Sequence, residues 1–172
     1  MATPVQQNLI AKNKSYAANF RQGNLALPPA KKYAVVTCMD ARIDPAAAFG
    51  ISLGDAHVIR NAGGSCRAAL RDLVLSQQLL GTTEILVIKH TGCGMLTFKN
   101  EDAMAVVRKN LGNEAVWEVG AFLNGDFLPF GDLEKAVMED IEWVRSSKLI
   151  PKSIGVSGWI YEVETGRVRR VA

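Results

Sequence analysis

Short apolar runs alternate with helical segments along the first half of the chain, and this order constrains the fold more than any other feature. Residues 33–38, 57–60 and 84–89 are rich in β-branched side chains, which predicts buried strands. A helical spacing of apolar residues over 66–80 separates the second and third runs. Strands that alternate with helices are joined by crossovers, which make neighbouring strands parallel. The sequence therefore predicts an α/β fold with a mainly parallel central β-sheet flanked by helices.

The remaining segments predict further helices and a final pair of strands. Residues 4–21 carry only a thin apolar stripe, which is typical of a helix that lies on a surface or on a partner chain. Ser65 is the predicted N-cap of the 66–80 helix, and Gly81 stands where a C-cap belongs. The other predicted elements are a turn or short helix at 44–49, a tight loop at 61–64, helices near 101–111 and 132–147, and strands at 154–163 and 167–171.

Composition and charge indicate one packed domain over residues 1–172. The chain is 48% hydrophobic and 22% charged, which suits a single core. Its net charge of +3 is scattered except near the C-terminus, so it lacks the basic face that nucleic acids require. No apolar run approaches the ~20 residues of a transmembrane helix. Residues 1–20 lack a signal-peptide core and three cysteines cannot all pair, so we expect a cytoplasmic protein without nucleic-acid or membrane partners.

Polar residues stand where the predicted strands end. Cys38 ends the first strand, Asn61 the second and His90 the third. In parallel α/β sheets, ligands bind beyond the carboxyl ends of the strands. We therefore expect these three segments to meet at one edge of the sheet and to form the functional site there.

The segment His90-Thr-Gly-Cys93 places an imidazole and a thiol three residues apart on a predicted turn. Thiolate and imidazole ligands in tetrahedral geometry favour zinc. Taken alone, this segment more often indicates a buried cysteine beside a histidine at a strand end than a metal site. The segment 38–42 adds a third soft ligand in Cys38, a carboxylate in Asp40 that can serve as a fourth, and a guanidinium in Arg42 that can hold the carboxylate.

The sequence CMDAR at 38–42, followed by HTGC at 90–93, resembles the CxDxR…HxxC signature of the β-carbonic anhydrases. The resemblance covers nearly the whole chain, including AHVIRNAGG at 56–64, the helix after it and the closing GWIYEVETGRV. It implies a β-carbonic anhydrase-like, Rossmann-like three-layer domain. The short length and CMDAR in place of the commoner CSDSR resemble the compact branch of the family. That branch also contains enzymes that hydrolyse carbonyl sulfide or carbon disulfide.

The resemblance also implies the roles of the site residues. Cys38, His90 and Cys93 match the zinc ligands, with one Zn²⁺ per chain and water in the fourth position. Asp40 and Arg42 match the family's aspartate–arginine pair and are the expected catalytic residues. Asp40 is expected to close the site when it binds zinc and to leave room for water when it pairs with Arg42. The alternative is that this ion pair only stabilises the fold.

The implied reaction is the hydration of carbon dioxide to bicarbonate by attack of zinc-bound hydroxide. Hydrolysis of carbonyl sulfide or carbon disulfide to hydrogen sulfide and carbon dioxide would use the same nucleophile, with pocket width and polarity selecting between the gases. No glutamine in the segment before the first strand matches the substrate-binding glutamine of many members, which leaves the sulfur substrates open. The expected substrate pocket comprises Ala62, Gly63, Gly64 and Gly94. Less favoured alternatives are a structural zinc module and a redox protein with a Cys38–Cys93 disulfide.

Oligomeric state and two further residues complete the expectations. The resemblance implies a homodimer or a dimer of dimers, with the helical arm of residues 1–30 packing on the partner. Cys66 opens the predicted 66–80 helix, and we interpret it as a packing residue. His57 lies within a strand pattern and is interpreted as a hydrogen-bonded structural residue, with a proton shuttle as the alternative if it lies at the site.

Overall fold

A computed structural model describes residues 1–172 and contains one sheet of five strands. The strands are β1 (Tyr33–Cys38), β2 (Ala56–Asn61), β3 (Glu84–His90), β4 (Gly155–Glu162) and β5 (Arg167–Arg170). Their order in the sheet is β2-β1-β3-β4-β5. The first four strands are parallel, and β5 pairs antiparallel with β4. The predicted α/β fold with a mainly parallel sheet is confirmed.

Six helices and two short 3₁₀ turns connect and flank these strands. The helices are α1 (Pro4–Asn19), α2 (Pro45–Phe49), α3 (Leu70–Gln78), α4 (Asn100–Leu111), α5 (Asn113–Leu123) and α6 (Leu133–Ser146). The 3₁₀ turns are Ala62–Gly64 after β2 and Gly94–Leu96 after β3. None of the helices combines the length and the apolar character that a membrane crossing requires.

The core lies on both faces of the sheet, because alternate strand residues point to opposite sides. On one face, α3 and α6 supply Leu73, Val137, Ile141 and Val144 to a cluster of 12 buried residues. The other face carries a cluster of 8 buried residues, among which are Cys38 and Cys93. This second face is covered by loops and by the short α2 rather than by a long helix. The two thiols that are expected to bind the metal therefore lie within the second cluster.

The start of the helix after the glycine loop differs from the prediction. Ser65 does accept a hydrogen bond from the Ala68 backbone N–H at 3.4 Å, so it caps a turn. Residues 66–69 form only that turn, however, and α3 begins at Leu70. Ala69, the residue before α3, has φ −88° and ψ 0°, which interrupts the helix. Ser65 therefore does act as a cap, as predicted, but it caps an isolated turn and not α3.

The sequence analysis also missed one helix. Gly112 ends α4 with φ 89°, and α5 follows it directly. This left-handed conformation suits glycine and separates two helices that would otherwise run together. None of the residues of α5 is buried, so no face of this helix packs on the core.

Helix α1 confirms the predicted N-terminal helix and lies apart from the core. Thr3 caps it and forms a capping box with Gln6, while Pro4 occupies the first turn. None of its residues is buried. Its apolar side chains, such as Leu9 and Tyr16, remain exposed.

Candidate metal centre

The structure brings Cys38, His90 and Cys93 together at the carboxyl edge of the sheet. Strands β1 and β3 pair in parallel with Thr37 opposite Ile88, so Cys38 and His90 end neighbouring strands. The turn after β3 then returns Cys93 to the same place. The ligand atoms of the three residues lie within 4.8 Å of one another, and the two sulfur atoms are 4.0 Å apart. All three side chains are buried.

The hydrogen bonding of His90 leaves one ring nitrogen available to a metal. Nδ1 lies 2.8 Å from the carbonyl oxygen of Thr91, and a carbonyl can only accept, so Nδ1 carries the proton. Nε2 is therefore the nitrogen with the free lone pair. It is buried and has no hydrogen-bond partner, which is costly for a polar atom. An orphaned imidazole nitrogen beside two thiols is a donor set that fits zinc.

The surroundings of Cys38 favour its ionised form. The pKa of this thiol is lowered chiefly by a hydrogen bond with Cys93, and further by the backbone N–H groups of Asp40 and Gly63. The thiolate is the form that binds metals. The site therefore stabilises negative charge on sulfur before any ion binds.

Asp40 and Arg42 form the expected pair at the rim of the centre. Arg42 Nε donates to Asp40 Oδ1 at 2.9 Å, and Nη2 donates to Oδ2 at 2.7 Å. The Arg42 backbone N–H also donates to Oδ1, and Nη2 reaches the Gly92 carbonyl oxygen at 2.9 Å. These bonds from Arg42 hold the pKa of Asp40 well below its usual range. Asp40 Oδ2 nevertheless lies only 3.7 Å from His90 Nε2, so the carboxylate is within reach of the metal position.

Arg60 supports this region and was missed by the sequence analysis. Its Nε donates to the carbonyl oxygen of Cys38 at 3.0 Å, and its Nη2 donates to that of Asp40 at 2.7 Å. It can do so because Arg60 on β2 lies opposite Thr37 on β1. The sequence signal that could have identified it is its position: Arg60 directly precedes Asn61, the polar residue that ends the second predicted strand. Arg60 therefore fixes the backbone from which both Cys38 and Asp40 project.

Thr91 anchors the turn that carries Cys93, and it too was missed. Its Oγ1 donates to Glu164 Oε2 at 2.7 Å and accepts a hydrogen bond from the Val163 backbone N–H at 3.0 Å. These partners follow β4, more than 70 positions along the chain. No local pattern in the sequence joins them, so only the fold reveals the anchor.

Two of the four expected pocket residues lie against the metal centre. Gly63 and Gly64 are buried, with φ of 71° and 59°. A Cβ at Gly64 would lie 2.9 Å from the carbonyl carbon of Thr37, so the turn rests directly on the backbone before Cys38. Ala62 and Gly94 are exposed beside these segments. A role of any of the four in substrate binding stays a prediction.

The other two residues singled out from the sequence lie away from the centre. His57 Nδ1 is 2.8 Å from Ser76 Oγ, and Ser76 in turn bonds Thr82. His57 pairs with Ala34 near the start of β1, at the opposite end of the strand from Cys38. Cys66 is buried in the core, where burial raises the pKa of its thiol. Neither residue is positioned to touch the metal ligands.

Comparisons with known proteins agree with this geometry. The carbonic anhydrase family model matches residues 33–168. Beta-carbonic anhydrase 1 of Mycobacterium bovis is 35% identical over 170 residues, covering 97% of this chain and 98% of the relative. A carbon disulfide hydrolase of Acidithiobacillus thiooxidans is 34% identical over 160 residues, covering 84% and 79%. The structure of a carbonic anhydrase from Glaciozyma antarctica has a TM-score of 0.92 and 44% identity, covering 99% of this chain and 100% of that one. The chain belongs to the β-carbonic anhydrase family of zinc enzymes.

Proposed function

We propose that this enzyme hydrates carbon dioxide to bicarbonate at a zinc ion held by Cys38, His90 and Cys93. The observation that carries the proposal is the buried, unpartnered Nε2 of His90 beside two thiols whose sulfur atoms are 4.0 Å apart. Three protein ligands leave a fourth tetrahedral position free, which is the feature that distinguishes catalytic from structural zinc sites. The similarity to beta-carbonic anhydrase 1 over 97% of this chain supports the same reaction.

Zinc, when bound, supplies a Lewis acid that lowers the pKa of coordinated water to about 7. The chain's own residues then orient the reactants. Asp40 stays ionised because Arg42 stabilises its carboxylate, so it acts as a hydrogen-bond acceptor and not as an acid. Arg42 engages both carboxylate oxygens through side-chain hydrogen bonds and so favours a state in which the fourth position is open to water. The buried turn at Gly63 and Gly64 covers the sulfur side of the centre.

The structure favours this catalytic proposal over a structural zinc module. A structural site requires Asp40 as a permanent fourth ligand, whereas both Asp40 oxygens accept hydrogen bonds from the Arg42 side chain. A redox role for Cys38 and Cys93 is the weaker alternative. It leaves the free Nε2 of the buried His90 without a function.

Hydrolysis of carbon disulfide or carbonyl sulfide is the second candidate, because relatives 34% identical to this chain are named carbon disulfide hydrolases. The structural comparison favours carbon dioxide. A carbon disulfide hydrolase structure reaches a TM-score of 0.67 at 28% identity, against 0.90 at 43% for a carbonic anhydrase from Streptococcus mutans.

Parallel assays of the three gases test the proposed substrate. Carbon dioxide hydration is measured by stopped-flow with a pH indicator, and sulfide release is measured from carbonyl sulfide and carbon disulfide on the same enzyme preparation. We expect kcat/KM for carbon dioxide to exceed both other values. The Cys93→Ser variant serves as the control for uncatalysed hydrolysis. Faster release of sulfide than hydration of carbon dioxide would assign the enzyme to the second candidate.

The proposed assembly is a homodimer in which α1 of each protomer packs on its partner. Helix α1 buries none of its own residues, and its Leu9, Ile10 and Tyr16 side chains are at least 58% exposed. The sheet face opposite α3 and α6 retains an apolar groove of about 200 Å³, lined in part by Val35 and Leu86. A helix with an unpartnered apolar stripe and a sheet face without a long helix are complementary surfaces.

Sedimentation velocity at micromolar concentration tests this assembly. We expect the intact chain to sediment as a dimer, or as a dimer of dimers, and a chain lacking residues 1–19 to dissociate while keeping its zinc. The control replaces Lys12 and Lys14, both exposed on α1, by glutamine. A fully active monomer of the intact chain would contradict the proposal.

We also propose a cytoplasmic location. All three cysteines are free and buried. Free thiols that serve as metal ligands are maintained in a reducing compartment.

A further inference from the structure

A buried lysine lies directly before the histidine of the metal centre. Successive side chains of a strand point to opposite faces, so Lys89 and His90 leave β3 on opposite sides. The Lys89 side chain is only 3% exposed. Lysine is almost never buried to this extent unless specific partners accept its hydrogen bonds. The reaction described above makes no use of this ammonium group.

The ammonium group of Lys89 has two hydrogen-bond acceptors and one ion-pair partner. It donates to the carbonyl oxygens of Gly63 at 2.9 Å and Gly64 at 3.3 Å. Asp140 Oδ2 on α6 lies 2.8 Å from Nζ and forms an ion pair with it, and the Asp140 side chain is only 10% exposed. The Phe130 ring lies 5.0 Å from Nζ and shields the group further. Lys89 therefore joins three parts of the chain: β3, the 62–64 turn and α6.

The 62–64 turn links this buried pair to a metal ligand. A Cβ at Gly64 would meet the backbone N of Cys38 at 3.1 Å, so the turn and the end of β1 are in direct contact. The backbone N–H of Gly63 contributes to the lowered pKa of the Cys38 thiol. Two consecutive left-handed residues turn the Gly63 and Gly64 carbonyls towards Lys89. Any shift of Lys89 is thus transmitted to the donor on the sulfur.

We propose that Lys89 and Asp140 form a positioning pair, which holds the 62–64 turn against Cys38 and thereby sets the electron-donating strength of its sulfur towards the metal. Asp140 fixes the ammonium group, the ammonium group fixes two carbonyls, and the turn presents the Gly63 N–H to sulfur. Hydrogen bonds to metal ligands of this kind tune both affinity and reactivity. The proposal rests on the proposed function only in taking this metal centre to be the catalytic one.

The simpler alternative is that the pair only stabilises the fold, and a double variant separates the two. Removing one member leaves an unpaired buried charge, which destabilises any protein and is therefore uninformative. Replacing both by apolar residues of similar size is often neutral for stability. The pair borders a cavity of about 260 Å³, which gives methionine and leucine side chains room to repack.

The decisive experiment compares Lys89→Met/Asp140→Leu with the wild type. The readouts are kcat for carbon dioxide hydration, zinc affinity by chelator competition, thermal unfolding, and the visible spectrum of the cobalt(II)-substituted protein. We expect a thermal midpoint close to that of the wild type and a fall in kcat of ~10-fold. The sulfur-to-cobalt charge-transfer band should move to longer wavelength, because a sulfur that loses a donated hydrogen bond becomes more electron-rich.

The matched control is Lys135→Met/Glu139→Leu, which makes the same kind of changes in an exposed pair on α6. It should leave kcat and the cobalt spectrum unchanged. If the buried double variant does not fold, Lys89→Gln/Asp140→Asn replaces it, because it removes both charges together and keeps side chains of similar size. A folded variant with wild-type kcat and an unshifted cobalt band would overturn the proposal. If the wild type fails to hydrate carbon dioxide, the proposed function falls, whereas the cobalt spectrum still decides the role of the pair.

Discussion

Cys93→Ser is expected to lose most of its zinc and nearly all of its turnover. A serine hydroxyl is not ionised at neutral pH and is a poor zinc ligand, so only one thiolate and one imidazole would remain. Loss of a residue that only hydrogen-bonds to a metal ligand lowers metal affinity or activity by ~10–100-fold. Loss of the ligand itself should therefore lower them by more than ~100-fold. Zinc per chain is measured by atomic emission after dialysis, beside the rate of carbon dioxide hydration.

The control for this variant is Cys66→Ala, which removes a buried thiol that belongs to the core and not to the metal centre. It should keep one zinc per chain, even if its thermal stability falls. Stoichiometric zinc in Cys93→Ser would show that Cys93 is not a ligand. This test is independent of which gas the enzyme uses.

Arg42→Ala is expected to lower turnover by ~10²–10³-fold, the usual effect of removing one preorganised polar group from an active site. Without the two side-chain hydrogen bonds from Arg42, the Asp40 carboxylate, whose Oδ2 is 3.7 Å from His90 Nε2, is free to turn towards the metal position. It would then occupy the place that water needs. Zinc content should stay at one per chain, because none of the three ligands is changed. Turnover is measured by stopped-flow hydration of carbon dioxide from pH 6 to 9, a range that includes the pKa of ~7 expected for zinc-bound water.

Two further variants separate geometry from charge in this pair. Arg42→Lys keeps the positive charge but cannot reproduce the planar fork, so we expect it to be nearly as impaired as Arg42→Ala. Asp40→Ala should keep its zinc and its open site but lose the hydrogen-bond acceptor, and its turnover should fall as well. If Arg42→Ala kept wild-type turnover across the whole pH range, the pair would be structural and the latch mechanism would be wrong.

The strands, and the convergence of Cys38, His90 and Cys93, could be predicted because their signals are local. The apolar runs marked β1 and β3 to within a residue, and Cys38 and His90 stand at their ends. Parallel pairing then brings such ends together without any knowledge of side-chain packing. The spacing of His90 and Cys93 lies within a single turn. Both kinds of signal are contained in short stretches of sequence.

The supporting contacts could not be predicted, because they join distant segments. In the sequence, Lys89 is only the last residue of a mostly apolar run that predicts a strand, and Asp140 is only one polar position on a predicted amphipathic helix. Only the packing of α6 on the sheet places their charged groups 2.8 Å apart. The late start of α3 was missed for a related reason. The loop before it lies against a distant segment, with Gly64 in contact with Thr37, and no local pattern in residues 66–69 records that contact.

The residue-by-residue alignment of β1 with β3 determines whether Cys38 and His90 can lie beside each other. Five consecutive residues of β1 are buried, so the strand is buried on both faces. Because apolar and polar side chains do not alternate along it, the hydrophobic pattern alone distinguishes poorly between the native alignment with β3 and one shifted by a residue. A slip of one residue would carry Cys38 about 3.3 Å along β3 and turn its sulfur to the wrong side. A slip of two would restore the side but separate the thiol from His90. A metal ion held by both Cys38 and His90 would stabilise only the native alignment of the two strands, so it would favour correct pairing of the sheet in addition to its part in the chemistry.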